Sequence, residues 1–382
     1  MRGKAFEITL LSPATPAAAQ LFREELENVC DHFEYWPETN RGSIFSLMRM
    51  RYWFSDLPIP IATDQSALGS ELVREHLARR PDLVVFDFPH SAVLGPTTLH
   101  TPSVMFTHNV EAEIFKRHML VSQNLLMKSM WRNQYRKMLE FERRTLSRFD
   151  RVIAVSERDA TMFRDDYAIP EVSVIRTGVD LSFFDYKPPG KDNNVVFIGS
   201  MDWLANIDGI EYFMDSIWPA VIAEVPDVSM KVIGRNPPKH LQQRARSRNL
   251  NWTFTGFVDD VREHVNDASV CVIPLRVGGG TRIKAYESMA IGCPLVSTSI
   301  GVEGLPVIPD EHYLRADSPQ TFAASVVSLL RDNELATLLS RNARSYVESD
   351  YSFEEAAREF QDVCLATLAG DQAHRAPSPV KV

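Results

Sequence analysis

Cysteine is scarce in this chain. The four in 382 residues, Cys30, Cys271, Cys293 and Cys364, lie far apart with no C-x-x-C pair among them. Such scatter excludes a disulfide frame and a cysteine-based zinc site, and it fits reduced structural thiols in a cytosolic protein. No apolar run reaches the roughly 18 residues that a membrane span requires. The opening MRGKAFEITLLSP goes straight into a strand-like stretch and has no signal-peptide layout. Excess positive charge is also missing: at −9 net, the chain is a poor general ligand for nucleic acid. Neither a Walker A loop nor a G-x-G-x-x-G fingerprint is present, and no D-x-D-type carboxylate pair demands a divalent ion.

What remains is an ordinary globular composition, 45% hydrophobic and 24% charged, long enough for about two domains. The second half alternates apolar strands (NNVVFIGS, VSMKVIG, NWTFTGFV, SVCVIPL, PLVSTS) with amphipathic helices. In one of these, Ile210, Phe213, Met214, Ile217, Trp218, Val221 and Ile222 follow helical spacing, and Asp208 with Glu211 resembles a capping box at its start. Strands this apolar imply a parallel sheet covered on both faces. The first half reads alike, with FEITLLS, a helix around 16–30, LVVFDF, SVMFTHN, a long helical stretch from about 111 to 149, RVIAVS and VSVIRTG. The turn-rich YKPPGKDNN (186–194) is the natural linker. The fold class is therefore α/β, two Rossmann-like domains facing across a cleft. Their expected limits are 1–188 and 189–352, then a helix over 353–370 that packs back on the first domain, and a disordered tail at 371–382.

One stretch carries chemistry. PLRVGGGTRIKAYESMAIGCP (274–294) sets three glycines, Gly278, Gly279 and Gly280, between an apolar strand and a helix. A glycine-rich turn at a helix N-terminus lets phosphate oxygens approach backbone N–H groups. Thr281 is placed to cap the helix, with Arg282 and Lys284 in its first turn. The helix dipole supplies only about 0.3–1 kcal/mol, so a phosphate leaving group needs the two charged donors as well. Glu287 suits a different partner, the paired hydroxyls of a ribose. Together they suggest a nucleoside diphosphate. The plain alternative, a tight turn with solvated charges, competes evenly for a strand–GGG–helix taken alone.

The residues of GFVDDVREHVNDASVCVIPLRVGGGTRIKAYESMAIGCPLVSTSIGVEGL (256–305) closely resemble the donor half of retaining family 4 glycosyltransferases, which have the GT-B fold. RVIAVSERDATMF and VSVIRTGVDLSFF resemble the segments closing that family's N-terminal domain. PSVMFTHNVEAEIFKR is similar to a bacterial subgroup linked to exopolysaccharide synthesis. The resemblance implies that Glu287 holds the ribose and that Arg282 and Lys284 bind the diphosphate beside Gly199 and Ser200. It further implies that Gly278, Gly279 and Gly280 bring amides to the donor, that His108 approaches the donor sugar, and that Arg235 flanks the base. Glu111 is explained equally well as a helix cap. Many members carry a first Glu where Gly279 stands, and an Arg and a Lys where GSMDWLANIDG has Asp202 and Trp203; Arg282 and Lys284 are read as the replacements. The family also opens with a strand and glycine-rich loop before a strand like FEITLLS. The N-terminal domain is therefore expected to lack its first strand, and the chain as written to be impaired in folding or acceptor use.

Residues 116–151 hold ten Lys or Arg against three acids. With Met127, Trp131, Tyr135, Met138, Leu146 and Phe149 near helical period, they could form a helix lying on an anionic membrane. The preferred reading is a core-packed stripe with a solvated basic face. The expectation, then, is a cytoplasmic retaining transferase, with peripheral contact at the inner membrane face as the second reading, that uses a nucleotide-sugar donor and a saccharide or lipid-linked saccharide acceptor. No metal, no cofactor and no nucleic acid are expected. The alternatives are a nucleotide-sugar epimerase on the same plan and a non-catalytic nucleotide-sugar-binding scaffold.

Overall fold

A computed structural model describes residues 6–38, 51–278 and 282–375, with side chains at 350 and 371–375 excepted. The chain divides into two units. Unit 1 comprises the described residues up to Ile175 and from Ala357 onward; unit 2 is Arg176–Ala356. The first boundary thus falls before residue 188. The reason is that segment 179–190 is hydrogen-bonded into unit 2: Val179 N–H to Tyr351 O, Lys187 N–H to Ile291 O and Gly190 N–H to Ala268 O. The last helix, Phe353–Arg375, overruns the tail expected from 371, while 376–382 lie outside the described residues. No helix among the described residues is long and apolar enough to cross a membrane.

In unit 1, β1 (Thr9–Ala14) and β2 (His32–Pro37) pair in parallel as a sheet of their own. A second parallel sheet runs in chain order through β3 (Val84–Asp87), β4 (Ser103–Phe106), β5 (Arg151–Ala154) and β6 (Val172–Val174). Parallel neighbours require crossover connections, and helices supply them. Met105, Val152 and Ala154 sit in its core with Leu146 and Phe163.

The single long helix expected over 111–149 is in fact two, Glu111–Val121 and Leu125–Leu146. Ser122 leaves the helical region, and Asn124 Oδ1 accepts from the N–H groups of Leu126 and Met127 to start the second. Trp131, Met138, Leu146 and Phe149 are buried, whereas Arg132, Arg136, Arg143 and Arg144 are exposed, so the apolar stripe serves the core. The first helix has no side-chain cap from its own N-cap residue, Val110. Glu142, fully buried on the second helix, does that work: Oε1 accepts from Glu111 N–H (2.7 Å) and Oε2 from Ala112 N–H (3.0 Å) and Tyr167 O–H (2.9 Å). Burial pushes its carboxyl up to about 8, against the pull of those donors.

Unit 2 holds β7 (Asn194–Ile198), β8 (Ser229–Ile233), β9 (Trp252–Gly256), β10 (Val270–Ile273), β11 (Leu295–Ser297) and β12 (Leu314–Arg315), all parallel in the order β12-β11-β10-β7-β8-β9. Strand side chains alternate faces. Accordingly Val270 and Val272 pack with Ile210, Phe213 and Phe322, while Cys271 and Ile273 pack with Ala285, Met289 and Val347. Both faces are covered, as the continuous apolar strands require. All four cysteines are buried. The helix after β7 starts earlier than the proposed capping box, at Leu204, and Asp208 lies inside it, bonded to Arg276 (Oδ1 to Nη2, 2.6 Å). Farther along, a π turn at Phe213–Ile217 precedes Pro219, whose ring and missing N–H disrupt the regular ladder.

Glu142→Ala should strip three buried donors of their acceptor. The expected cost is ~3 kcal/mol, since each orphaned donor costs about 1–3 kcal/mol before relaxation. Hydrogen exchange should show lost protection at the Glu111 and Ala112 amides. Unchanged protection would mean that the cap contributes nothing.

Candidate functional site

The glycine-loop helix, Ile283–Ile291, has Arg282 as its N-cap residue and Lys284 in its first turn. Lys284 reaches back over the sheet to the carboxyl end of β7. Its Nζ donates to Asn206 Oδ1 at 2.7 Å and lies 4.7 Å from the Phe197 ring centroid and 5.9 Å from that of Trp203. No carboxylate comes within ion-pair distance of it among the described residues. Burial, then the Arg282 charge, push its ammonium down to about 7. Asn206, itself buried, is fixed by donating from Nδ2 to Ser200 O at 2.7 Å. Gly199 is obligatory in this arrangement: a Cβ there would lie 2.8 Å from Asn206 Nδ2 and 2.9 Å from Lys284 Nζ.

Gly278 combines a φ of +130° with a close approach, since its Cβ would meet Trp203 Cη2 at 3.1 Å and Arg282 Nη1 at 3.2 Å. Arg282 is 2% exposed and its Nη2 lies 3.9 Å from Glu303 Oε2, so this cation is built into the protein, not displayed on its surface. Glu287 makes no hydrogen bond among the described residues, and burial raises its carboxyl pKa against the pull of Lys284. The roles assigned to Gly279, Gly280 and Thr281 fall outside the described residues. Between the ends of β7 and β8, Arg235 Nε donates to Ser200 Oγ (3.1 Å) and pairs with Asp202 Oδ2 (2.9 Å), while Asn236 Nδ2 donates to Asp202 Oδ1 (2.9 Å).

The structure therefore brings Gly199, Ser200, Arg235, Gly278, Arg282, Lys284 and Glu287 together at the carboxyl ends of β7, β8 and β10. Ligands of open parallel sheets bind at such strand ends. Two cations, one without a counter-ion in reach, suit an anionic ligand.

The family model described as Glycosyltransferase Family 4 matches residues 3–183, and that described as Glycosyl transferases group 1 matches residues 192–332. The chain belongs to the family 4, group 1 glycosyltransferases. It is 21% identical over 340 residues to an uncharacterized 44.6 kDa protein in the cps region of Klebsiella pneumoniae, covering 86% of this chain and 84% of that one. Among solved structures, the sucrose-phosphate synthase of Thermosynechococcus elongatus superposes with a TM-score of 0.68 at 18% identity, over 95% of this chain and 99% of that one. Anabaena Alr3699/HepE, in complex with UDP and glucose, superposes at 0.64 and 17% identity, over 95% and 91%. These likenesses give the glycosyltransferase the GT-B fold, with its two Rossmann-like domains.

His108 belongs to unit 1 of the transferase. It follows β4, and its Nε2 lies 2.8 Å from Asp87 Oδ1 at the end of β3, with the Phe88 and Phe106 rings beside it. Sequence reading missed Asn206 and Phe197, the groups that fix Lys284. The one cue was an asparagine six residues past a strand-end serine, which is too common to single out.

Lys284 generates a pH prediction. A bound anion favours the charged ammonium, so binding raises its pKa from the free-state value near 7. Affinity for pyrophosphate should therefore be greatest below pH 7 and weaken above it, by up to about tenfold per pH unit until the bound-state pKa is reached. Titration calorimetry on the wild type and on Lys284→Met separates this from the ligand's own ionisation. Identical pH slopes in the two proteins would exclude Lys284 from the anion site.

Proposed function

We propose that this glycosyltransferase moves a sugar from a nucleoside-diphosphate donor to a hydroxyl of a saccharide or lipid-linked saccharide acceptor, with retention and without a divalent ion. The supporting observation is the Lys284 ammonium, half-buried beside Gly199 and Asn206, with no carboxylate at ion-pair distance among the described residues and with Glu287 one helical turn away. The diphosphate lies against Lys284 and Arg282, and Glu287 accepts from the ribose hydroxyls. His108 donates or accepts at a hydroxyl of the donor sugar. On reaction, the anomeric carbon–phosphate oxygen bond breaks while the acceptor oxygen bonds to that carbon on the same face. The acceptor proton passes to the departing phosphate oxygen. The chain's own contribution is positioning, and stabilisation of charge on the leaving group.

Two observations bear on context. The relative in a cps region and the HepE complex with UDP and glucose support a place in exopolysaccharide or other surface-glycan assembly and a uridine donor. For peripheral contact with the inner face of the membrane, the support is the turn between helices Glu111–Val121 and Leu125–Leu146. There Leu120, Leu125 and Leu126 are 63%, 81% and 82% exposed, beside exposed Lys116 and Arg132. Aliphatic tips flanked by cations insert at anionic interfaces.

Thermal shift against UDP, GDP, dTDP and ADP in EDTA tests the donor site. At about 100 Kd, one nucleotide should stabilise the wild type by roughly 2.7 kcal/mol and leave Glu287→Ala unmoved. Turnover of the matching nucleotide sugar that depends on added acceptor separates transfer from epimerisation, and binding without turnover would leave a scaffold. No shift with any nucleotide overturns the reading.

A further inference from the structure

Unit 1 carries a second constellation that the donor site does not use. Phe88, directly after β3, holds a φ of +73°, a costly conformation for an aromatic residue, and its N–H bonds to Phe106 O at 2.8 Å. That geometry stacks the Phe88 ring on His90 (4.6 Å between centroids, 21° between planes) and brings it 5.6 Å from His108. His90 Nδ1 lies 2.7 Å from Asp64 Oδ2. On its other side Nε2 faces Glu111 Oε2 at 3.6 Å, which is ion-pair distance but beyond a hydrogen bond. The three side chains are largely buried: 17% of His90, 9% of Asp64 and 11% of Glu111 is exposed. His90 Nε2 has no hydrogen-bond partner, nor does the buried Oδ1 of Asn109, two residues before Glu111.

These unmet groups define a ligand. Asp64 Oδ2 accepts from Nδ1–H, so Nε2 carries a proton toward Glu111 in the imidazolium form; burial opposes that form, but Asp64 and Glu111 outweigh it and hold the ring's pKa up at about 9. A hydroxyl oxygen set to one side of the 3.6 Å gap can accept from Nε2–H and donate to Oε2 at once, which water or a sugar can do and a phosphate cannot. Charge argues the same way: the two carboxylates that face His90, Asp64 and Glu111, disfavour an anionic acceptor.

We propose that Glu111 and His90, held by Asp64, bind a hydroxyl of a neutral sugar unit of the acceptor. This rests on the glycosyl-transfer reading above. Glu111 and His90 touch the acceptor; Asp64 is a positioning residue.

The test has two arms. In the first, imidazole signals of the histidine-labelled protein, with His90 assigned from His90→Gln, are followed during titration with the methyl glycosides of glucose, galactose, mannose and N-acetylglucosamine. One glycoside should shift the His90 signals, and Glu111→Gln should weaken that binding at least tenfold. The second arm measures transfer to that glycoside from the nucleotide sugar that the protein binds. Glu111→Gln and Asp64→Asn should raise the acceptor KM at least tenfold, while nucleotide affinity and donor hydrolysis in water stay within about twofold of the wild type. Unmoved His90 signals with all four glycosides, an unchanged acceptor KM, or an equal loss of nucleotide affinity would each overturn the proposal. Failure of the wild type to bind any nucleotide would count against the donor reading alone, because the first arm needs no donor.

Discussion

A half-buried ammonium with no carboxylate at ion-pair distance among the described residues is the constraint on which the carboxyl end of the unit 2 sheet is built. Removing Lys284 from water is costly, and the pull of Glu287 offsets only part of that cost. Its neighbours limit the cost without cancelling the charge. The Asn206 amide oxygen accepts one N–H, and the faces of Phe197 and Trp203 supply quadrupole attraction. Each of these demands something further. Asn206 must be aimed, and Ser200 O aims it; the ammonium must fit, so residue 199 has no side chain; the Trp203 ring comes close to residue 278, so neither does that one. The loop after β7, the loop after β10 and the helix between β10 and β11 are thus parts of one solution. They retain an uncompensated positive charge at the sheet end.

Unit 1 meets the opposite problem. Its buried acidic groups around the start of helix Glu111–Val121 are carboxyls, and each is satisfied differently. Glu142 is spent on the N-terminus of helix Glu111–Val121, where two backbone N–H groups and a tyrosine hydroxyl satisfy it. Asp64 is spent on His90. Glu111 alone faces a partner too distant for a hydrogen bond. The Glu142 cap fixes the first residue of the helix, and that residue is Glu111. The carboxylate left in want of a donor is therefore held by one that is saturated.

The unit 2 strands were legible because both faces of their sheet are covered, which forces near-continuous apolar runs such as VCVI in β10. The break at 122–124 was not. Leucines at 120, 125 and 126 continue the apolar count, and only their exposure shows that they lie off the core. Glu142 was read as one more charge on a basic helix, since a capping partner some thirty residues away leaves no spacing signal. The misplacement of the capping box has the same origin: Asp208 and Glu211 have the right spacing, but Asp208 is engaged by Arg276 from the glycine loop. On the donor side the local motif carried Lys284 and Glu287, because both lie on one helix. Asp64, His90 and Glu111 come from three segments joined only by the fold, and no periodicity announces them.

The departure at 202–203 acquires a physical meaning in this light. An aspartate at the end of β7 would be the natural counter-ion for an ammonium arriving there, and pairing the two would close the anion site. Asp202 is engaged elsewhere. Arg235 and Asn236, from the loop after β8, hold both of its oxygens, and Asn236 adopts a φ of +55° in that loop. The Ser200 hydroxyl joins the same cluster, while its carbonyl serves Asn206. Residue 200 therefore divides the loop into two electrostatic compartments, a neutralised one around Asp202 and an open cationic one around Lys284. A second cation placed on the β7 loop would be drawn to Asp202. Cations supplied from the start of helix Ile283–Ile291 avoid it, and they add to the positive end of the helix dipole.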